Sequence, residues 1–230
     1  MLTLPIYSIT PFTLLDFPGK TACIIWFSGC NMRCAYCHNP EIVKSKGRGT
    51  VEQVLAFLEK RKGLLDGVVL SGGEATLYKD IVDFAAQIKR LGYAIKLDTN
   101  GTRPDIVQEM LQNDLLDYVA LDYKAPLSKY KNVTATNLFK YFDETLSRLC
   151  WQDKVLFEVR TTVHRDLLDE KAIIEIMEDL TTRGYRGGYY IQNYINNNNP
   201  VLGNLPSQKQ GLDISRLPPP KGFTLEFRNF

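Results

Sequence analysis

Three cysteines within eight residues constrain this chain more than any other feature. Cys30, Cys34 and Cys37 are spaced C-x3-C-x2-C in a short polar loop, which can bring three thiolates to one point. Thiolates are the soft ligands that hold iron–sulfur clusters. A cubane cluster has four irons, so three cysteines leave one iron without a protein ligand. An open metal position of this kind can bind a substrate or cosubstrate.

Other uses of these cysteines remain open at this point. A zinc site could recruit His38 as a fourth ligand, but adjacent Cys37 and His38 fit one tetrahedron poorly. The run from Cys34 to His38 also matches C-x-x-C-H, the c-type haem attachment pattern, which requires an exported protein. Three buried structural cysteines are disfavoured because the loop is polar and is broken by Gly29 and Pro40.

Composition narrows the class of protein. A chain of 230 residues is long enough for one sizeable core, and 44% hydrophobic with 23% charged residues is typical of a globular protein. A net charge of +2 without a long basic run gives no reason to expect nucleic acid as a partner. Neither a secretory signal nor a stretch long enough to span a membrane is visible. An odd count of five cysteines favours a reducing cytoplasm over a disulfide framework.

Strand-like and helix-like patterns alternate along the chain. The strands are predicted at 21–27, 67–71, 94–98, 118–122, 155–162 and 188–193, and the helices at 51–62, 81–91, 104–111, 138–149 and 170–183. Such alternation predicts right-handed βαβ units and a parallel sheet, hence an α/β fold. The pattern by itself does not separate a partial barrel from an open doubly wound sheet.

The remaining segments are expected to be irregular. Residues 1–20 are interpreted as an irregular N-terminal segment, the stretch after Pro40 as a polar connection and 123–135 as a loop. A loop-rich tail is expected over 194–222, with 223–228 as a final strand. These expectations give a domain scheme without a repeat or a second domain: an N-terminal segment 1–20, a core domain 21–195 and a C-terminal tail 196–230.

Polar residues follow four of the predicted strands, the second to the fifth. Ser71-Gly-Gly-Glu74 comes after the second predicted strand, and Asp98-Thr-Asn100 comes after the third. The fourth and fifth strands lead into Asp122-Tyr-Lys124 and Arg160–His164. In an α/β barrel the carboxyl ends of the strands meet at one face, where active sites lie. Taken singly, each motif is as consistent with a turn or a structural ion pair as with a binding site.

The cluster loop resembles the signature of the radical S-adenosylmethionine (radical SAM) enzymes. Tyr36 fills the aromatic position before the last cysteine, and Gly72-Gly73-Glu74 resembles the glycine-rich motif of that superfamily, with Ala75 where proline is common. This resemblance implies a partial (βα)6 TIM-like barrel in a single domain. It also implies a [4Fe–4S] cluster whose open iron chelates S-adenosylmethionine (SAM).

Within the superfamily, the segments at 98–100 and 122–124 resemble the activating enzymes of glycyl-radical proteins. The resemblance implies that Asp98, Thr99 and Asp122 line a monovalent cation site near the SAM carboxylate. After the sixth strand this chain has Gln192-Asn193-Tyr194 where a relative has a histidine. The residues that the resemblance places around SAM are Tyr36, His38, Gly72, Gly73, Glu74, Asp98, Thr99, Asn100, Asp122, Tyr123, Lys124, Arg160, Val163 and His164.

The reaction and the partners follow from the same resemblance. Activases of this kind take an electron from a donor such as flavodoxin or ferredoxin and cleave SAM reductively to a 5′-deoxyadenosyl radical. The radical then abstracts hydrogen from a glycine of the partner enzyme. Residues 14–20 and 27–34 look most like the activating proteins of anaerobic ribonucleoside-triphosphate reductase. The alternatives are a pyruvate formate-lyase activase, a small-molecule or peptide-modifying radical SAM enzyme similar to 7-carboxy-7-deazaguanine synthase, and a non-enzymatic metal-binding module.

Overall fold

The computed structural model describes residues 2–195, 201–203, 205–208 and 210–230. The chain forms two compact units, each assembled from separate segments. The first unit contains Met1–Asn31, Glu41–Thr99 and Arg103–Ala120, and the second contains Met32–Pro40, Asn100–Thr102 and Leu121–Phe230.

The first unit is built on a four-stranded ladder. Strand β2 pairs antiparallel with β1 and parallel with β3, and β3 pairs parallel with β4. The apolar run of β2 is almost entirely buried, as expected of a strand covered on both faces. Its Phe27 ring meets Phe84 edge to face, with 6.3 Å between ring centroids. The four strands are β1 (Ile6–Thr13), β2 (Ala22–Phe27), β3 (Gly67–Gly72) and β4 (Ala94–Thr99).

The second unit carries the later strands. Strand β5 (Tyr118–Asp122) begins in the first unit and ends in the second. Strand β7 (Gly188–Asn193) pairs parallel with β6 (Leu156–Val163) on one side and with β8 (Thr224–Arg228) on the other.

Seven α-helices occur within the described residues, and local sequence explains where several begin and end. Thr50 and Gln53 form a capping box at one helix, and Pro104 starts another. Gly92, with φ of 92°, follows the end of a third. The helices are α1 (Pro40–Lys44), α2 (Val51–Glu59), α3 (Asp80–Arg90), α4 (Pro104–Gln112), α5 (Leu127–Thr134), α6 (Phe139–Trp151) and α7 (Glu170–Thr182), with 3-10 turns at Ala75–Leu77 and Ile214–Arg216.

The alternation of strands and helices predicted from the sequence is confirmed. The bounds of β5 and β7 agree with the prediction, and the final strand is present as β8. Helix α2 ends at Glu59 rather than at residue 62. Part of the expected loop-rich tail, at 196–200, 204 and 209, lies outside the described residues. None of the described helices is both long and apolar enough to cross a membrane.

Three segments predicted to be irregular contain regular structure. Residues 6–13 form β1 because their backbone pairs with β2, and Trp26 Nε1 donates to Thr10 Oγ1 at 2.9 Å. Pro40 starts α1, where a polar connection was expected. The predicted loop 123–135 contains α5, whose Tyr130 and Val133 are buried. Those three expectations were therefore wrong.

Candidate functional site

The cluster loop begins in the first unit, directly after β2. Gly29 has φ of 83°, a conformation that glycine adopts without strain, and its N–H donates to the Ile42 carbonyl at 2.9 Å. The Tyr78 hydroxyl donates to the Ser28 carbonyl at 2.8 Å. Backbone and side-chain bonds therefore fix the chain on the N-terminal side of Cys30, which is half-buried.

The rest of the cluster loop belongs to the second unit and is held at both ends by backbone bonds. The Cys37 N–H donates to the Cys34 carbonyl at 3.0 Å, which closes a tight turn between two of the proposed ligands. The Arg33 N–H donates to the Thr134 carbonyl at 2.9 Å, so the loop is anchored to the end of α5. On the other side, the Leu202 N–H donates to the Cys37 carbonyl at 3.0 Å.

Charged and aromatic groups surround this turn. Burial raises the pKa of the Cys34 thiol, and the nearby ammonium of Lys124 acts in the opposite direction. The same ammonium lies 5.9 Å from the centroid of the Tyr36 ring, which is itself buried. A cation beside the turn favours the thiolate over the thiol and so opposes the effect of burial. The thiolate is the form that binds iron.

The donor set suits an iron–sulfur cluster. All five cysteines are in the described part of the chain and none forms a disulfide. Cys23 is fully buried and its pKa is raised by burial to about 12, so it behaves as a core residue. Within the described residues, no three Cys, His, Asp or Glu side chains group around a point that one metal ion could share. The cluster assignment therefore depends on the spacing of the motif and on the family.

Gly72 and Gly73 lie where backbone segments of the first unit come very close together. A Cβ added at Gly72, whose φ is 127°, would be 2.4 Å from the N and O atoms of Phe27. A Cβ at Gly73 would be 1.8 Å from the Gly29 carbonyl oxygen. The Gly73 N–H donates to Phe27 O at 2.8 Å, and the Glu74 N–H donates to Gly29 O at 2.9 Å. The glycine-rich motif thus packs directly against the first part of the cluster loop.

Glu74 is a buried carboxylate that organises the hydroxyl groups around it. Its Oε1 accepts hydrogen bonds from the Thr76 N–H at 3.1 Å, the Thr76 hydroxyl at 2.6 Å and the Thr99 hydroxyl at 2.8 Å. The resemblance made both Glu74 and Thr99 contacts of SAM. The structure brings them together and gives Glu74 a role in positioning the end of β4.

Asp98 lies in a polar cluster that the sequence analysis described only in part. The Ser71 hydroxyl donates to Asp98 Oδ2 at 3.0 Å, and Lys96 Nζ is 2.5 Å from Asp98 Oδ1. Lys96 was not among the predicted site residues. The signal that could have identified it is its position two residues before Asp98, since alternate residues of a strand share a face.

Asn100 and the two residues after it form a turn that belongs to the second unit. The Asn100 Oδ1 accepts from the Thr102 N–H at 3.1 Å and from the Thr102 hydroxyl at 2.6 Å. The Gly101 carbonyl accepts from the Thr145 hydroxyl at 2.6 Å. The amide oxygen of Asn100 is therefore used by the turn.

Asp122, Lys124 and Arg160 form one ionic group in the second unit. Lys124 Nζ is 3.0 Å from Asp122 Oδ2, and Arg160 Nε is 3.0 Å from Asp122 Oδ1. Burial by itself would raise the pKa of Asp122, but the two cations outweigh it and lower the pKa to about 2. Arg160 also lies 3.8 Å from buried Glu158. The structure thus brings these three predicted site residues into contact with one another.

Tyr123 does not join this ionic group. Its hydroxyl donates to Asp179 at 3.0 Å, and its ring packs on Phe142 with 4.6 Å between centroids. Neighbouring strand residues point to opposite faces, so Asp122 and Tyr123 diverge. The contact of Tyr123 with SAM stays a prediction.

Two histidines of the predicted set meet on Tyr194, which the sequence analysis had noted only as a departure from the family. His38 stacks on the Tyr194 ring and His164 meets it edge to face, each with 5.0 Å between centroids. His164 Nδ1 accepts from the Asp166 N–H, so its Nε2 donates to the Pro206 carbonyl at 3.0 Å. Val163 is fully buried beside them. Both ring nitrogens of His164 thus have protein partners.

Comparison with known proteins identifies the class. The family model described as the radical SAM superfamily matches residues 24–152. Over 179 residues the chain is 36% identical to MJ1227 of Methanocaldococcus jannaschii, a protein assigned as a glycyl-radical enzyme activating enzyme, with 73% of this chain and 72% of that protein covered. The chain therefore belongs to the radical SAM superfamily, among the relatives of glycyl-radical activating enzymes.

A second relative matches a shorter part of the chain, and a solved structure matches its fold. The pyruvate formate-lyase-activating enzyme of Clostridium pasteurianum is 35% identical over 126 residues, covering 52% of each chain. The structure of anSMEcpe with bound AdoMet matches with a TM-score of 0.59 and 19% identity over 73% of this chain and 49% of that one. At that identity it confirms the fold, the α/β fold of radical SAM enzymes expected from the sequence. The chain spans about half the length of these two proteins.

Proposed function

We propose that this chain is a radical SAM activase that installs a glycyl radical on a partner enzyme. The observation that carries the proposal is the identity with MJ1227 across most of both chains, together with the intact C-x3-C-x2-C motif. A [4Fe–4S] cluster with an open iron, when bound together with SAM, supplies one-electron cleavage of the sulfonium and hydrogen abstraction. The proposed cluster ligands are Cys30, Cys34 and Cys37.

The chain's own residues prepare this chemistry. Lys124 holds a positive charge beside the Cys34–Cys37 turn, which opposes the effect of burial on the pKa of Cys34 and favours an anionic ligand. Asp122 remains ionised and keeps both Lys124 and Arg160 in place. The close backbone packing of Gly73 on Gly29 fixes the approach to Cys30. The proposed SAM contacts Asp98 and Thr99 are the last two residues of β4, and Asn100 follows them.

The proposed partner is an anaerobic ribonucleoside-triphosphate reductase, with flavodoxin or ferredoxin as electron donor. The support is the similarity of residues 14–20 and 27–34 to the activating proteins of such reductases. Only three cysteines have ligand spacing, so an additional ferredoxin-like cluster is not part of the proposal. A pyruvate formate-lyase partner is the alternative that the relative from Clostridium pasteurianum supports.

The first test is spectroscopic and is made without oxygen. The protein is reconstituted with iron and sulfide and reduced with dithionite, and its EPR spectrum is recorded with and without SAM. We expect a reduced [4Fe–4S] signal that changes when SAM is added, and its loss in Cys34→Ala. Cys150→Ala is the matched control, because Cys150 lies in α6 outside the motif, and it should keep the signal. A colourless protein that binds zinc would contradict the proposal.

The second test identifies the substrate. The reduced protein and SAM are mixed with a glycine-loop peptide of anaerobic ribonucleotide reductase or with the corresponding pyruvate formate-lyase peptide. A glycyl radical, with 5′-deoxyadenosine formed only when one peptide is present, would select that partner. Turnover of a small molecule or of an unrelated peptide without either partner would instead favour the alternative class of radical SAM enzyme.

A further inference from the structure

Lys96 is a buried lysine that the proposed reaction does not use. Its side chain is 2% exposed, although it lies in the middle of β4, opposite Val69 of β3. Removing an ammonium group from water is costly, and a nearby opposite charge is required to offset that cost. A buried lysine at this position therefore needs a specific anionic partner.

That partner is Asp98, two residues further along the same strand. Lys96 Nζ is 2.5 Å from Asp98 Oδ1, and the Ser71 hydroxyl donates to Asp98 Oδ2 at 3.0 Å. Residues i and i+2 of a strand project from the same face, so the pairing follows from the backbone of β4 itself. Each carboxylate oxygen of Asp98 already has a donor supplied by the protein.

The resemblance to glycyl-radical activases implied a different arrangement, in which Asp98, Thr99 and Asp122 coordinate a monovalent cation. The contacts of these residues do not fit such a site well. The Thr99 hydroxyl donates to Glu74, and Asp122 is held by Lys124 at Oδ2 and by Arg160 at Oδ1. Protein donors therefore engage the carboxylate oxygens of Asp98 and of Asp122, and the Thr99 hydroxyl is itself used as a donor, each within its own unit.

We infer that the ammonium group of Lys96 is a built-in counter-ion for Asp98 and replaces a bound monovalent cation there. A fixed lysine neutralises the aspartate whichever salt is present. It also presents a positive charge at the end of β4, where the proposed function needs an anionic group of SAM to be tolerated. The second of these consequences depends on the proposed function, whereas the first does not.

The test compares salts on the full chain, with thermal unfolding as one readout and SAM affinity of the reconstituted protein as the other. Potassium, sodium and tetramethylammonium chloride are used at equal ionic strength, since tetramethylammonium cannot enter a small oxygen-lined site. We expect the wild-type melting temperature and SAM affinity to be the same in all three. In Lys96→Met, both should fall in tetramethylammonium and recover in a saturable way with potassium or sodium.

Two further variants make the test decisive. Lys89→Met removes a lysine whose partner Asp117 is 2.9 Å away on the half-exposed surface, so it should show no saturable cation effect. Lys96→Met combined with Asp98→Asn removes both charges of the pair and should fold even if the single variant does not, without cation dependence. Saturable potassium dependence in wild type would overturn the inference. A Lys96→Met protein that is insensitive to the salts would also overturn it. If Lys96→Met fails to fold, a double variant that fails to fold as well would have the same consequence. Thermal unfolding is measured without SAM, so this readout tests the inference even if the proposed function is wrong.

Discussion

The Thr99 hydroxyl donates to the Glu74 carboxylate at 2.8 Å, and both side chains are no more than 2% exposed. This bond joins the glycine-rich motif after β3 to the end of β4. Thr99→Val keeps the shape of the side chain but removes the donor, leaving a buried carboxylate with one partner fewer. We expect a loss of about 2 kcal/mol in the free energy of unfolding, because bonds to buried charged groups are worth roughly that much.

Urea denaturation of the apoprotein measures this effect without involving the cluster. Thr182→Val is the matched control, because its hydroxyl donates to the Glu178 carbonyl on the exposed face of α7. That variant should stay within about 0.5 kcal/mol of wild type. Equal stability of the two variants would show that Glu74 does not depend on Thr99.

Gly73 should tolerate no side chain at all. The Cβ of Gly73→Ala would lie 1.8 Å from the Gly29 carbonyl oxygen and 3.3 Å from Cys30 Cβ, so the backbone before the first cysteine must move. We expect the variant to lose about 3 kcal/mol of stability, at the upper end for overpacking, and to bind less iron after reconstitution. Iron content per chain and thermal unfolding measure the two effects.

The control for this substitution is Gly211→Ala. A Cβ at Gly211 would meet the nearest atoms of Asn193 at 3.5 Å, which is ordinary contact. Normal iron content in Gly73→Ala, equal to that of Gly211→Ala, would mean that the loop before Cys30 can shift without affecting the cluster.

The order of elements could be read from the sequence because hydrophobic periodicity marks buried strands and helices. β1 escaped detection because Pro11 interrupts it, and proline within a run argues against a strand except at a sheet edge or a bulge. The pairing of β1 with β2 indeed shifts register between Thr10 and Thr13. Helix α5 escaped because Pro126 and several polar residues around it are typical of a loop, whereas its burial depends on the tertiary structure.

The candidate site was predictable in part for similar reasons. Polar residues at the carboxyl ends of parallel strands collect at one end of a sheet, so Asp98 and Asp122 could be proposed as site residues. The side chains that bind these two carboxylates could not be identified in this way. Lys96 alternates with apolar Ile95 and Leu97, a pattern that suggests an outward-facing lysine, yet all three are buried in a parallel ladder. The bond from Thr99 to Glu74 joins residues 25 positions apart, which no local pattern records.

Ala135 is expected to be a site where glycine stabilises the protein. It follows α5 with φ of 58°, in the left-handed region, and its N–H donates to the Lys131 carbonyl. Ala135→Gly should raise the free energy of unfolding by about 0.5–1 kcal/mol, because glycine adopts this conformation without a Cβ penalty. Ala135→Val should destabilise by a similar or larger amount, since β-branched residues rarely adopt it.

This position also tests the anchoring of the cluster loop. Thr134, the last residue of α5, accepts the Arg33 N–H through its carbonyl. If the end of α5 supports the loop, a chelator should remove iron more slowly from Ala135→Gly than from wild type, and faster from Ala135→Val. Asp114→Gly is the control, because Asp114 has φ of 53° in the first unit. It should gain stability without any change in iron retention.

Glu170 should make the stability of the chain depend on acid pH. Hydrogen bonds from Arg165 and from the Asp213 N–H, the latter at 2.9 Å, hold this carboxylate at the start of α7. The bond from Arg165 is the main reason why the pKa of Glu170 falls from 4.5 to about 2. The folded state thus favours the ionised form, so the contribution to stability is complete above pH 4.5 and is lost as the pH falls toward 2. We expect it to be about 2 kcal/mol, less than the full shift implies, because Arg165 is 39% exposed and solvent screens the pair.

Urea denaturation of wild type and Glu170→Gln over this pH range measures the contribution. The difference in free energy of unfolding should be constant from neutral pH down to about pH 5 and shrink steadily below it. Glu178→Gln, an exposed substitution on the same helix, should show no such difference at any pH. A gap between wild type and Glu170→Gln that persists unchanged into acid would mean that the carboxylate charge does not stabilise the fold, and that only the shape of the side chain holds Arg165 and the backbone of Asp213.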